Sequence, residues 1–169
     1  DIGCWLVHNP RSNMNNSVGY FNVPKVPGTL DLKLALGTDG ISSNMFEEVK
    51  FAYFKAQDAK NPLSADDCMR LLVGGHKIAS EMFGIPLGIL EEGATADLII
   101  LAYPAPTPLQ AGNLSWHVIF GMSHAHVESV MVAGKFLVHE HRFVSRDVAS
   151  LYQKAQAAAK KLWERMGLC

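Results

Sequence analysis

Apolar residues come in short runs, separated by glycine, proline and small polar clusters. Residues 4–7 predict a short buried strand, and the polar run 11–17 after it predicts a loop. Gly19, Pro24, Pro27 and Gly28 leave room over 18–31 only for a short or irregular helix. Residues 32–36 predict a second buried strand, which ends at Gly37-Thr38-Asp39-Gly40. A helix over about 45–58 follows, capped by Ser43 or Asn44, with Phe46, Val49, Ala52 and Tyr53 on one face. Ser64 with Asp66 and Asp67 marks the start of another helix through Leu71 and Leu72, and a further helix over 75–83 stops at Gly84.

The texture then changes. Residues 88–93 are a turn-rich link, and 96–101 predict a strand ended by Pro104, Pro106 and Pro108. Residues 127–132 and 135–139 predict two strands of a hairpin about Ala133-Gly134. The last element is a helix over about 147–166, with Val148, Leu151, Tyr152, Ala155, Leu162 and Met166 on one face and Gly167 at its end. The first half thus alternates strand and helix, while the second holds strands and a tail helix.

Composition narrows the class. The chain has 169 residues, 49% hydrophobic and 18% charged, which describes a folded domain and not a disordered one. Fifteen basic residues against sixteen acidic ones give a net charge of −1, so no basic field exists to hold nucleic acid or a membrane surface. The odd, scattered Cys4, Cys68 and Cys169 predict reduced thiols in a cytoplasmic protein rather than a disulfide framework. No apolar run approaches the roughly 18 residues of a membrane span. The chain opens inside a strand-like run with no initiator methionine, which predicts sequence upstream.

Two tracts carry candidate chemistry. Leu36-Gly37-Thr38-Asp39-Gly40 runs a buried strand straight into a carboxylate. In parallel α/β folds ligands bind at that end of the strands. A carboxylate there serves metal ligation or proton transfer, or else caps a turn. His8-Asn9-Pro10-Arg11-Ser12-Asn13 also follows a buried strand, about 30 residues upstream. That is the spacing of a βαβ unit, so both tracts can share a rim, although Asn, Pro and Ser also make ordinary turns. The pairs His124-x-His126 and His139-x-His141 each lack the third ligand that a metal site needs. His76 and His117 read as structural.

In this order the pieces resemble the C-terminal part of the amidohydrolase superfamily, in its cytosine deaminase-like and chlorohydrolase-like branch. Residues 7–13 look like the loop after barrel strand 7, and 36–40 like the end of strand 8. Residues 88–100 resemble the G-x-L-x-x-G-x-x-A-D-L-V-V link into a small β-sandwich, and 130–135 its closing hairpin. The tract with Pro106, Pro108, Asn113, His117 and Val130 is most similar to the selenium-metabolism (SsnA-like) aminohydrolases.

The resemblance implies an α/β fold. It comprises the last two β/α units of a TIM-like (β/α)8 metal-dependent hydrolase barrel, the C-terminal part of a composite β-sandwich, and a terminal helix. The corresponding parts are 1–86, 87–145 and 146–169. It implies Asp39 as both catalytic residue and metal ligand, and His8, Gly40 and Ser43 as substrate-binding. The cofactor implied is one divalent metal, zinc with iron as the alternative, and the substrate a small amidine-like heterocycle. The family's H-x-H, two further His and acid/base Glu lie upstream of this chain, and a complete barrel needs roughly 200 residues. The expectation is therefore the C-terminal portion of an aminohydrolase, inactive alone. The alternatives are a non-catalytic interaction module and a complementing chain. Either association through exposed barrel edges or a homo-oligomer is expected.

Overall fold

A computed structural model describes residues 4–22 and 33–168. The stretch expected to be irregular over 18–31, and Leu32 of the second strand, fall largely outside the described residues. The first half holds β1 (Leu6–His8), α1 (Pro10–Asn15), β2 (Leu34–Leu36), α2 (Met45–Asp58) and α3 (Ala65–Phe83). β1 and β2 pair in parallel, with Leu6 opposite Leu34 and His8 opposite Leu36. All three residues of β2 are buried. β1 departs from expectation, since Leu6 is 51% and Val7 45% exposed. Among the described residues β2 pairs with β1 along one edge, and nothing covers the Leu6 and Val7 side chains.

The core lies between β2 and the two long helices. It is formed by Leu34, Leu36, Val49, Ala52, Cys68 and Leu71, among others. Asn44 caps α2 by accepting the Glu47 N–H. Ser64 and Asp67 form a reciprocal capping box at the start of α3. α3 then runs unbroken to Phe83, where two helices were expected. Gly74 explains the continuity. A Cβ there would stand 2.0 Å from the Leu34 carbonyl oxygen and 2.9 Å from the Ala35 Cα, so the glycine lets the helix lie directly on β2. Gly84, at φ +67°, ends the helix in the left-handed conformation.

The 11–17 tract is also more ordered than a loop. Pro10 opens α1 at a position where a helix leaves its N–H groups unpaired anyway, and Arg11 is held from the side by α2.

The second half is an antiparallel sheet in sequence order, β3 (Leu98–Leu101), β4 (Val127–Val132), β5 (Lys135–His139) and β6 (Arg142–Phe143). Both hairpin turns use positive φ at each central residue, Ala133-Gly134 and Glu140-His141. That is the backbone twist a two-residue hairpin requires. The second turn and β6 were not expected, because Glu140 and His141 are not the glycine or asparagine that announces such a turn.

Between β3 and β4 lie a short helical turn α4 (Leu114–Trp116), a π-helical turn (His117–Gly121) and a 3-10 turn (His124–His126). Val118, Ile119 and Met122 from this segment join the core of the first half. The terminal helix, α5 (Val148–Arg165), is capped by Asp147 and has no buried residue. Among the described residues no helix is long and apolar enough to cross a membrane.

Candidate functional site

The parallel pairing of β1 and β2 brings their C-terminal ends side by side, and with them the two tracts singled out in the sequence. Side chains alternate along a strand, so Val7 and Asn9 share one face and His8 takes the other. A Cβ at Gly37 would lie 2.6 Å from both Asn9 Oδ1 and Val7 Cγ1. Gly37 therefore admits the neighbouring strand's side chains at the very end of β2.

Asp39 stands two residues further on, exposed, in a turn closed by the Ile41 N–H donating to the Thr38 carbonyl at 3.1 Å. The sharp bend falls on Asp39 itself, at φ +50°, and not on a flanking glycine. Left-handed backbone at a non-glycine residue costs about 1–3 kcal/mol and persists only where its surroundings enforce it.

Two consecutive residues of α1 enforce it here. Ser12, 3% exposed, donates from Oγ to Asp39 Oδ2 at 2.7 Å. Arg11 spans to Ser42, with Nη2 donating to the Ser42 carbonyl at 2.6 Å and Nη1 to its hydroxyl at 3.3 Å. The same guanidinium donates from Nε to Glu48 Oε2 at 2.5 Å and from Nη1 to Glu47 Oε2 at 2.7 Å. The Arg11 N–H reaches Glu48 Oε1 at 3.2 Å. Glu48 is fully buried and Arg11 only 7% exposed, so this is an ion pair withdrawn from water whose lone pairs and protons find partners. It ties the turn after β1 to the first turn of α2, and the Asp39 loop is strung between them.

The sequence placed Arg11 and Ser12 in a candidate tract able to share a rim with Asp39 but expected 11–17 to be loop, and it did not single out Glu48. Glu48 is in the first turn of α2, where a glutamate is ordinarily exposed.

The other expected residues fall as follows. Gly40 shares the exposed turn of Asp39 and Ser43 is exposed just beyond it, and a Cβ at Gly40 would meet nothing within 4 Å. His8 does not join them. Its ring is 3% exposed, packed against Tyr20 and Phe21 with ring centroids 5.8 and 5.6 Å away. Both its nitrogens and the Tyr20 hydroxyl are buried without a hydrogen-bond partner among the described residues. Burial lowers the His8 pKa to about 4, so the imidazole is neutral at pH 7.

Neither H-x-H pair is joined by a third His, Cys, Asp or Glu among the described residues. His124 and His126 lie in the 3-10 turn, where His124 Nδ1 meets Asn44 Nδ2 at 2.9 Å and His126 Nδ1 accepts the Ser123 N–H at 3.0 Å. The ring of His139 lies against Phe136. His117 is buried between Tyr103 Oη at 2.9 Å and Thr107 Oγ1 at 3.1 Å.

Among the described residues, no three His, Cys, Asp or Glu side chains converge as a metal cage. Asp39 fits as one carboxylate ligand; the others must come from outside the described residues. An apolar cavity of about 850 Å3 lies between α2 and α3 on one side and β3 and β4 on the other, lined by Val49, Leu72, Leu98, Val118 and Val130 among others. Asp39 does not line it.

Comparisons with known proteins show the family and the fold. The model of the amidohydrolase family matches residues 3–137. A 5-methylthioadenosine/S-adenosylhomocysteine deaminase of Haloquadratum walsbyi is 30% identical, over 98% of this chain and 38% of the relative. A 5'-deoxyadenosine deaminase of Methanopyrus kandleri is 29% identical, over 95% of this chain and 38% of the relative. Among solved structures, a zinc-bound adenosine deaminase from Xanthomonas campestris superposes with a TM-score of 0.76 at 27% identity, covering 92% of this chain and 36% of that one. Atrazine chlorohydrolase TrzN from Arthrobacter aurescens, complexed with zinc, shares the fold at a TM-score of 0.70 and 20% identity, over 92% of this chain and 36% of that one. The chain spans about two fifths of the length of the relatives it matches.

Proposed function

The chain belongs to the amidohydrolase family, and on that premise we propose that it is the C-terminal portion of a metal-dependent aminohydrolase with Asp39 in its active centre. The observation that carries the reading is the placing of Asp39. It is a carboxylate exposed at the C-terminal end of a parallel strand, held in strained backbone by the helix after the neighbouring strand. Residues 1–86 would be the end of the barrel, 87–145 part of the small sandwich, and 146–169 the tail helix.

A divalent metal, zinc with iron as the alternative, would when bound supply the Lewis acidity that activates water near neutral pH. Asp39 would give it one ligand and accept a proton at the same carboxylate. Gly40 in the same turn and Ser43 just beyond it, both exposed, would lie against the substrate. An amidine-like heterocycle fits the reaction, because water adds to its ring carbon and the C–N bond to the departing ammonia then breaks. The relatives named as deaminases of adenosine derivatives support this substrate class. The finer likeness to SsnA-like enzymes is supported by the 106–130 tract alone. The scattered cysteines and near-zero net charge support a cytoplasmic setting without nucleic acid or membrane.

One carboxylate does not hold a catalytic zinc, so this chain alone is inactive with added zinc. Turnover above a metal blank would overturn that. In the full-length polypeptide, Asp39→Ala is expected to abolish turnover and weaken metal retention. A normal rate with metal retained would overturn the role of Asp39. The exposed Leu6 and Val7 on β1 favour association, with upstream chain or with a second copy. A stable monomer in light scattering would instead support an autonomous interaction module.

A further inference from the structure

The polar tract after β1 was expected to be loop, yet its side chains form a chain of donors with one direction. Asn15 Nδ2 donates to Asn16 Oδ1 at 3.1 Å. Asn16 Nδ2 donates to Ser12 Oγ at 3.2 Å. Ser12 Oγ donates to Asp39 Oδ2 at 2.7 Å. The polarity follows from chemistry. A carboxylate only accepts, so the single hydroxyl proton of Ser12 must point at Asp39, and the amide of Asn16 fills a lone pair on the same oxygen. The amide is oriented in turn by Asn15, which occupies its carbonyl. Asn16 donates to the Ser12 oxygen and Asp39 accepts its proton, so the two contacts do not compete.

The anchor for this chain is independent of it. Ser12 sits one residue beyond Arg11, whose guanidinium is locked onto the buried Glu48 and onto Ser42 at the far end of the Asp39 loop. Ser12 is itself buried. The donor is therefore fixed before any ligand arrives, and the exposed carboxylate is the part that is held. Among the described residues nothing donates to Asp39 Oδ1. The two carboxylate oxygens are thus unequal, since Oδ2 accepts from α1 and Oδ1 accepts from nothing among the described residues.

We propose that Ser12 is a positioning residue for Asp39, ending a donor chain from Asn15 and Asn16 that engages Oδ2 and presents Oδ1 alone to the metal. The proposal rests on the reading of Asp39 as a ligand and adds which of its oxygens binds the metal and what holds it there. Groups that orient a metal's ligands change affinity by about 10–100-fold when removed.

The test uses the full-length polypeptide and Zn2+ alone, with affinity read by competition against a chromophoric chelator and folding checked by melting temperature. Ser12→Thr keeps the hydroxyl. Ser12→Val has the shape of threonine without it, so the pair separates the hydrogen bond from packing. Asp39→Asn is the control on the underlying reading. The expected result is a threonine variant within about twofold of the parent and a valine variant weaker by roughly tenfold or more at matched melting temperature. Equal affinities for threonine and valine, whether parental or weakened, overturn the role of the hydroxyl while a zinc loss in Asp39→Asn leaves the ligand reading standing. Parental zinc affinity in Asp39→Asn overturns the ligand reading and the proposal together.

Discussion

The two halves of the chain invert the usual relation between strand count and core. The first half has only two short strands, β1 and β2, yet it supplies most of the core, because α3 lies across β2 and α2 packs on α3. The second half has a four-stranded sheet, yet Ser129 is the one buried residue of that sheet among the described residues, and α5 adds none. A sheet becomes interior only when another layer covers it. The same difference separates their chemistry. The buried ion pair of Arg11 with Glu48 and the Asp39 turn that it braces lie in the first half, where packing can hold them.

The comparison is broken most severely at the ion pair. Glu48→Gln leaves the buried Arg11 with only the half-exposed carboxylate of Glu47, and removal of one member of a buried pair costs about 3–5 kcal/mol. Urea unfolding followed by fluorescence is expected to lose that much from the transition of the first half. A change below about 1 kcal/mol would mean that the pair is not holding α1 to α2.

His8 comes next. Burial lowers its pKa from the ordinary 6.5 to about 4. Between those values the unfolded chain binds a proton that the folded chain refuses, so stability falls as pH drops through that window and is unaffected above it. The whole effect is about 3 kcal/mol. Its neighbours do not confuse it. Burial raises the pKa of Tyr20 and pushes the Cys68 thiol up to about 12, so both stay neutral across the window. His8→Phe is expected to flatten the stability profile between pH 6.5 and about 4 relative to the parent. An identical slope in the two proteins would remove His8 from the acid limb.

The sequence showed these halves unevenly, and the reasons are physical. Alternation of strand and helix, the caps Asn44 and Ser64, and the stop at Gly84 are local signals and were readable. Asp39 was also readable, as a carboxylate closing an apolar strand. What was not readable depends on contacts between residues far apart in sequence. Ser12 looks like any turn serine until β1 and β2 pair and set it 2.7 Å from Asp39. Arg11 and Glu48 are 37 positions apart, and nothing local matches them. His8 suggested a rim residue because its neighbours Asn9 and Ser12 are polar. Strand alternation turned it inward instead.

Gly74 is the clearest case, and it gives the third test. In sequence Gly74-Gly75 looks like a break between two helices, but the two glycines have opposite roles in one helix. A Cβ at Gly74 would meet the backbone of β2 at 2.0 Å, whereas a Cβ at Gly75 meets nothing within 4 Å. Gly74→Ala is expected to destabilise by at least about 1–3 kcal/mol through overpacking. Gly75→Ala is expected to stabilise by up to about 1 kcal/mol, because alanine is the better helix former. Two shifts of the same sign in thermal unfolding would contradict the direct seating of α3 on β2.

The smallest expected effect belongs to α5, and its smallness is the point. Its apolar residues follow a helical period, so pattern alone suggests a face buried as deeply as that of α3. The structure exposes them. Leu162 and Trp163 are each more than half accessible, and no residue of the helix is buried. Leu71, at 1% exposure in α3, has the same chemistry in the opposite environment. Leu71→Ala is expected to cost about 2–5 kcal/mol through lost burial and a cavity. Leu162→Ala should stay within about 0.5 kcal/mol, since a side chain already in water loses little when shortened. Denaturant titrations of the two variants at low protein concentration measure this directly. Repeating them at rising concentration sharpens the comparison. A Leu162→Ala penalty that appears only as concentration increases would show α5 covered by a second copy, and would move that helix from the solvent-facing half of the comparison to the packed one.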